Sequence, residues 1–485
     1  MSGSGERAPA AELGLLDATM IGMGAMIGAG IFVLTGLAAE IAGPAAILVF
    51  VLNGIVTAFT GLSYAELASA IPKSGGGYAF VREIFADLPS FIMGWMLWFA
   101  YMIAGALYAL GFAPNFLELL HVYGLTAAPG EVGALALPLL PAIPAKVALA
   151  LVAVAFLVGL NAVSTAASGS AETIFTIIKV TILLVFVAFG FLSVNGGGQT
   201  SFTLQNFDPL FPDEKSPASI LPAMGLTFIA FEGYDLITTV TEEVENPREN
   251  IPKAIFLSLI ATVIVYMLVV VVAIGTLGAE GLAAAGEAGI AEAATSFMPT
   301  GIPILQNGGA LIVFGAVFST LTALNAVVIA SSRVAFSMGR EGQLLPRFGN
   351  IHHRYGTPFL AILASAVVML ASVALPTASA GNMSSLFFLL SFIIVNGAVI
   401  KLRRERPNMN RPYEMPYYPV PAILGIALNA VLTVVLIMYL VRTDPLALVL
   451  SIAWILVGVG AYYALRARRS GAEATDTTIV EAGED

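Results

Sequence analysis

The sequence predicts an all-α integral membrane protein of about twelve transmembrane helices, and three observations carry that prediction. Of its 485 residues 58% are hydrophobic and only 11% are charged, where ordinary soluble domains carry about 25% charged residues; the mean hydropathy is +0.91. Apolar runs of about 20 residues, the length that crosses a bilayer core, recur from one end of the chain to the other. Basic residues fall almost entirely into alternate loops. No polar stretch is long enough for a soluble catalytic domain.

The apolar runs place helices near 16–38, 44–70, 90–113, 145–163, 172–194, 217–240, 253–275, 307–335, 358–376, 383–400, 419–441 and 445–465. The N-terminal residues 1–13 and the acidic tail 467–485 read as disordered, being polar and poor in large apolar side chains. The first apolar run is too long for a cleavable leader and lacks a small-residue cleavage site. With an even number of spans both ends share one side. That side collects seventeen of the bases, Arg7, Lys73, Arg82, Arg333 and Arg403 among them, against Lys146, Lys215 and Arg442 opposite. The asymmetry predicts a multi-pass protein of the cell membrane with both termini in the cytoplasm.

Three further features limit the chemistry. The chain has no cysteine, so disulfides and thiolate metal sites are excluded. Its histidines, His121, His352 and His353, sit in or beside loops, and no metal is expected. The net charge of −10 lies in loops and termini; it reads as solubilising charge or as the mark of a salt-rich cytoplasm. Neither a cofactor nor a nucleic acid partner is expected.

Two spans carry breaks. The first is interrupted by Gly28-Ala29-Gly30 and the sixth around Ala230-Phe231-Glu232-Gly233. An unpaired backbone amide in hydrocarbon costs several kcal/mol, so irregular backbone persists there only where it lines a cavity or ligand. Paired breaks in corresponding spans are the sequence mark of a secondary transporter with repeated halves. A helix that stops and restarts exposes N–H groups that attract a carboxylate and C=O groups that attract an ammonium. Two such breaks facing each other suit a zwitterion, and a free amino acid meets that requirement. Gly28-x-Gly30 alone is also compatible with close helix packing.

Lys179 is the one base inside a span, about a third of the way along the fifth. It is either a functional group or a lysine reaching to the interface along its stem. Asp235 reads as a proton carrier, an orienting group, or a cap on the second half-helix. Glu232 could select a cationic side chain or pair with Lys179. Phe231 reads as core or as a ring that closes over a ligand.

The stretch Gly24-Ala25-Met26-Ile27-Gly28-Ala29-Gly30-Ile31-Phe32 resembles the first-helix signature of the amino acid–polyamine–organocation superfamily. Phe228-Ile229-Ala230-Phe231-Glu232-Gly233-Tyr234-Asp235 resembles its sixth-helix signature, and Glu242 through Ile255 the loop that follows. Tyr64-Ala65-Glu66-Leu67, Pro72 through Tyr78, and Ser332-Arg333 through Arg340-Glu341-Gly342 match as well. The nearest branch is that of the cationic amino acid transporter-like permeases.

The resemblance implies a leucine-transporter-type fold of two inverted five-helix repeats, here 14–195 and 196–400, plus two extra helices in 401–466. It implies that a substrate carboxylate meets the N–H groups of Gly28, Ala29 and Gly30, and the amine the carbonyls of Met26, Ile229, Ala230 and Glu232. Sodium-coupled relatives hold a cation against carbonyls matching Gly24 and Ile27; here Lys179 is similar to the lysine that occupies that place in proton-coupled members. Ser319 and Thr322 are the neighbouring candidates on the eighth helix. One departure stands out: the position of Glu232 is usually apolar in the family. The expectation is therefore a proton-coupled, sodium-independent amino acid transporter and no enzyme. Its rivals are an amine or polyamine exchanger and a membrane sensor that binds without transport.

Overall fold

Long apolar runs become helices because, away from water, only intrasegment hydrogen bonds satisfy the backbone. The computed structural model describes residues 13–73, 75–127, 132–133, 143–163, 169–193, 200–298 and 308–481. The expected disorder of residues 1–12 and 482–485 lies outside them. Among the described residues there is no strand, only an isolated bridge between Leu13 and Val244.

The helices are α1 (Leu15–Met26), α2 (Ala29–Ala42), α3 (Ala46–Ala70), α4 (Gly76–Ile84), α5 (Asp87–Val122), α6 (Ala145–Val163), α7 (Gly169–Leu192) and α8 (Ile220–Thr227). They continue with α9 (Pro247–Ala285), α10 (Gly289–Phe297), α11 (Gly308–Arg340), α12 (Phe359–Ser372), α13 (Thr377–Glu405), α14 (Val420–Thr443) and α15 (Pro445–Glu481). Ten segments among the described residues are long and apolar enough to cross a membrane. Helical structure covers all twelve expected positions. The first two run on as one segment, Leu15–Ala70, and the ninth, Phe359–Ser372, is a shorter helix.

Two helices were not foreseen as separate elements. Helices α4 and α10 are nine residues each, too short to span, and pack as connectors. Helix α9 runs 39 residues and turns at Gly278, whose φ of 76° breaks the helical path. Helix α15 continues to Glu481, through much of the tail expected to be disordered; alanine, arginine and glutamate in that stretch are strong helix formers.

Helix α5 forms the centre, buried along its apolar length between α11 and α13. Helices α6, α14 and α15 lie outside. Phe156, Val431, Val434, Leu456 and Val457 are exposed there, the apolar skin that lipid covers. An aromatic stack docks α15 onto the centre, with Trp454 4.7 Å from Trp95 and 4.4 Å from Phe99 between ring centroids. Near the base of α3, buried Glu66 accepts from Arg403 Nε (2.7 Å) and Nη2 (2.8 Å) on α13 and from the Met415 N–H. That clamp fixes α3 to α13, and so steadies the frame around the broken helices.

Candidate functional site at the two helix breaks

Helix α1 stops at Met26 and α2 starts at Ala29. Between them Ile27 (ψ 66°) and Gly28 (φ −107°, ψ −136°) leave helical geometry, which frees carbonyls behind the break and N–H groups ahead of it. The protein answers most of these carbonyls itself. Gly24 O accepts from Lys179 Nζ at 2.8 Å, Ile27 O from the Ser319 hydroxyl, and Met26 O from Gly28 N–H at 2.7 Å and from the Tyr266 hydroxyl. Lys179 also donates to Thr322 Oγ1 at 2.9 Å. Gly24, Ile27, Lys179, Ser319 and Thr322 thus form one contiguous group. Lys179 is 0% exposed, so its stem does not carry the ammonium to an interface.

The sixth segment breaks differently. Helix α8 tightens into a 3₁₀ turn at Phe228–Phe231, Glu232 is extended, and Asp235–Glu243 continues as a 3₁₀ helix. The hydroxyls of Thr238, Thr239 and Thr241 each donate to the carbonyl three residues back (2.6, 2.7 and 2.9 Å). β-Branched residues that hydrogen-bond their own backbone disfavour a regular α-helix. Gly233 has φ 137°, and a Cβ there would stand 2.6 Å from Met26 N. A Cβ on Gly30 would stand 2.7 Å from Ala230 Cα. The two breaks therefore touch backbone to backbone, and only glycine permits it.

Tyr266 on α9 ties them together, its hydroxyl shared between Met26 O and Ala230 O (3.0 Å to the latter). Ile229 N–H donates to Ser385 Oγ at 3.1 Å, and Ile229 O accepts from Glu232 N–H at 3.2 Å. Asp235 accepts from Gly233 N–H at 3.0 Å and from the Tyr101 hydroxyl. Both of its carboxylate oxygens are thus engaged within the protein.

Glu232 stands apart. It is 3% exposed, and neither carboxylate oxygen has a hydrogen-bond partner. It does not pair with Lys179, whose ammonium is held by Gly24 and Thr322. It lines a cavity of about 10 Å³ with Ala25, Tyr101, Tyr108, Gly233 and Phe388, no larger than a single water requires. The space beside Glu232 is narrow in this conformation. Phe231 lies outside that lining, packed on Phe50 (6.1 Å) and Tyr266 (5.4 Å).

Larger spaces flank the site. One of about 270 Å³ lies on the side of the basic loops, lined by Ile21, Glu172, Leu236, Glu243, Asn325 and Arg333. There Arg333 on α11 donates to Thr239 O (3.0 Å) and pairs with Glu243 (3.3 Å). Leu13 N–H and C=O bond Glu243 and Glu245 at 3.0 and 2.9 Å, joining the start of α1 to the end of the sixth segment. A second space of about 920 Å³ lies at the opposite end, lined by Glu40, Asp208, Glu214, Lys215 and Glu280 among others.

Tyr101, Tyr266 and Ser385 escaped the sequence reading, and Arg333 entered it only among the loop bases and in the stretch from Ser332 to Gly342. A signal existed for the first of them: Tyr101 and Tyr108, seven apart in a long apolar run, share one face of α5. Around the breaks stand one buried ammonium, that of Lys179 on Gly24 O, and one buried carboxylate, that of Glu232, whose oxygens have no hydrogen-bond partner.

The chain matches the family described as "Amino acid permease" over residues 13–461. It is 30% identical to a branched-chain amino acid permease of Bacillus subtilis, covering 95% of this chain and 94% of that protein. It is 28% identical to the serine/threonine exchanger of the same organism over 95% and 98%. It is 30% identical to the human cystine/glutamate transporter over 93% and 84%.

Proposed function

As the chain belongs to the amino acid permease family, we propose that it carries amino acids across the plasma membrane by alternating access, driven by protons and independent of sodium. The observation that carries this reading is the backbone contact of the two breaks at Gly30–Ala230 and Gly233–Met26, with Lys179 on the neighbouring Gly24 carbonyl. The substrate carboxylate binds the N–H groups of Ala29 and Gly30 at the start of α2, where the helix dipole favours a negative charge, and that of Gly28 once it leaves Met26 O, to which it donates at 2.7 Å in this conformation. The ammonium binds the carbonyls of Met26, Ile229, Ala230 and Glu232.

In this conformation the Tyr266 hydroxyl already donates to two of those carbonyls. It holds the place of the ammonium, and substrate entry exchanges one donor for another. The half-helices on one side of the breaks then part while those on the other side stay packed. Lys179 supplies a positive charge where sodium-coupled relatives place their ion, and its protonation biases which side is open. The basic loops face the cytoplasm, so the 270 Å³ space is the inner vestibule.

A second reading is favoured by Glu232 alone. A buried carboxylate without a partner is costly unless the occupant brings a cation. That supports transport or exchange of amines, whose charge would complete the site. Uptake of labelled amino acids and of putrescine into proteoliposomes, in sodium-free buffer and with an inward proton gradient, separates the readings. Accumulation of amino acids supports the first; accumulation of putrescine with none of any amino acid replaces it by the second.

A further inference from the structure

We propose that Glu172 is the group through which Lys179 exchanges its proton with the cytoplasm. The inference rests on the proton-coupled reading and adds the path that reading lacks. Lys179 is fully enclosed, so a proton leaving it needs an acceptor between the ammonium and water.

Glu172 and Lys179 lie seven residues apart on α7, two turns along one face. Helical side chains lean toward the N-terminus, which tilts the lysine stem toward the glutamate. Both meet the same residue of α1. Lys179 Nζ donates to Gly24 O at 2.8 Å, and a Cβ built on Gly24 would lie 2.5 Å from Glu172 Oε1 and 2.3 Å from Thr176 Oγ1. Thr176 lies between them in sequence and meets the same Gly24, its hydroxyl on Met20 O at 3.1 Å. Glu172 is half-buried and lines the 270 Å³ vestibule.

The order from inside outward is ammonium, hydroxyl, carboxylate, vestibule. The other charges facing this path are already engaged: Asp17 on α1 accepts from Thr173 at 2.7 Å, and Arg333 on α11 pairs with Glu243 of the sixth segment. The step moves one proton and no electrons. An Nζ–H bond breaks, the proton passes along the Thr176 hydroxyl or water to the Glu172 carboxylate, and from there to the vestibule.

Purified wild type, Glu172→Gln, Glu172→Asp and Lys179→Ala are reconstituted, and two fluxes are measured: accumulation driven by an inward proton gradient, and substrate counterflow at equal pH, which needs no net proton movement. Glu172→Gln is expected to slow driven accumulation by roughly 10-fold or more and flatten its dependence on internal pH, with counterflow preserved and Glu172→Asp largely restored. Driven accumulation by Glu172→Gln at the wild-type rate overturns the inference, as does an equal loss of counterflow in folded protein. Wild-type uptake indifferent to the gradient overturns the proton-coupled reading itself, and the inference with it.

Discussion

At the scale of single residues, the site depends on positions where no side chain fits. A Cβ on Gly30 would lie 2.5 Å from Ala230 Cβ and 2.7 Å from its Cα, and backbone cannot yield as a flexible side chain does. Gly30→Val should bring uptake to background in protein that still elutes as one species, at a stability cost of about 1–3 kcal/mol; wild-type uptake would show that the breaks need not touch. Tyr266 makes a different prediction. Tyr266→Phe strips a donor from two buried carbonyls, so the empty protein should melt earlier, by a loss of about 1–3 kcal/mol. The substrate, no longer competing with the hydroxyl, should then raise the melting temperature more than in wild type. An unchanged or smaller ligand shift would contradict the placeholder role. Gly28, Gly30 and Lys179 were legible in the sequence because glycine pairs and charges are rare inside apolar runs. Tyr266 was not, since a tyrosine among valines reads as ordinary core until its hydroxyl is seen on two carbonyls from different helices.

At the scale of elements, the apolar runs located the spans, while their ends escaped the reading. Composition cannot tell where α5 stops, because its helix extends past the hydrocarbon length into Asp87 and Val122. Nor could it show that the second half of the sixth segment is 3₁₀, which depends on three threonines bonding their own backbone. The connector α4 was invisible for the same reason of length, yet it has a testable role. Glu83 on α4 receives Lys73 at 2.9 Å and Arg406 from the end of α13 at 3.2 Å. The hydrogen bond from Lys73, helped by Arg406, holds its carboxyl below the ordinary value of 4.5. A carboxyl lowered on folding stabilises above its unfolded value, and that contribution is lost as pH falls through the folded one. Glu83→Gln should therefore lower the melting temperature slightly near pH 7, within the roughly 0–1 kcal/mol of exposed pairs. The difference from wild type should shrink as pH drops below 4.5. A difference that persists or grows in acid would mean the pairs do not stabilise this corner.

At the scale of the whole molecule, hydropathy was enough for the fold class, and the motifs at Gly24–Phe32 and Phe228–Asp235 for the family. The chain carries an all-helical membrane architecture and belongs to the amino acid permeases. What one sequence could not reveal is which conformation is favoured: the narrowing of the space beside Glu232 to about 10 Å³ arises from contacts among five segments. The proposed sidedness rests on the basic loops, and the absence of cysteine makes it simple to check. In vesicles of native orientation, a membrane-impermeant thiol reagent should label Thr443→Cys and leave Asn408→Cys untouched until the membrane is permeabilised. The reverse pattern would invert the assignment of the inner vestibule.

The most direct test of the account is to count protons and amino acids together, following internal pH with a trapped dye while labelled substrate enters sodium-free proteoliposomes. Wild type should acidify the lumen as substrate accumulates, and Lys179→Ala should lose both the acidification and the accumulation yet still exchange internal for external substrate. Accumulation by Lys179→Ala at the wild-type level, with the same proton count, would contradict the claim that the lysine beside the first break couples protons to transport.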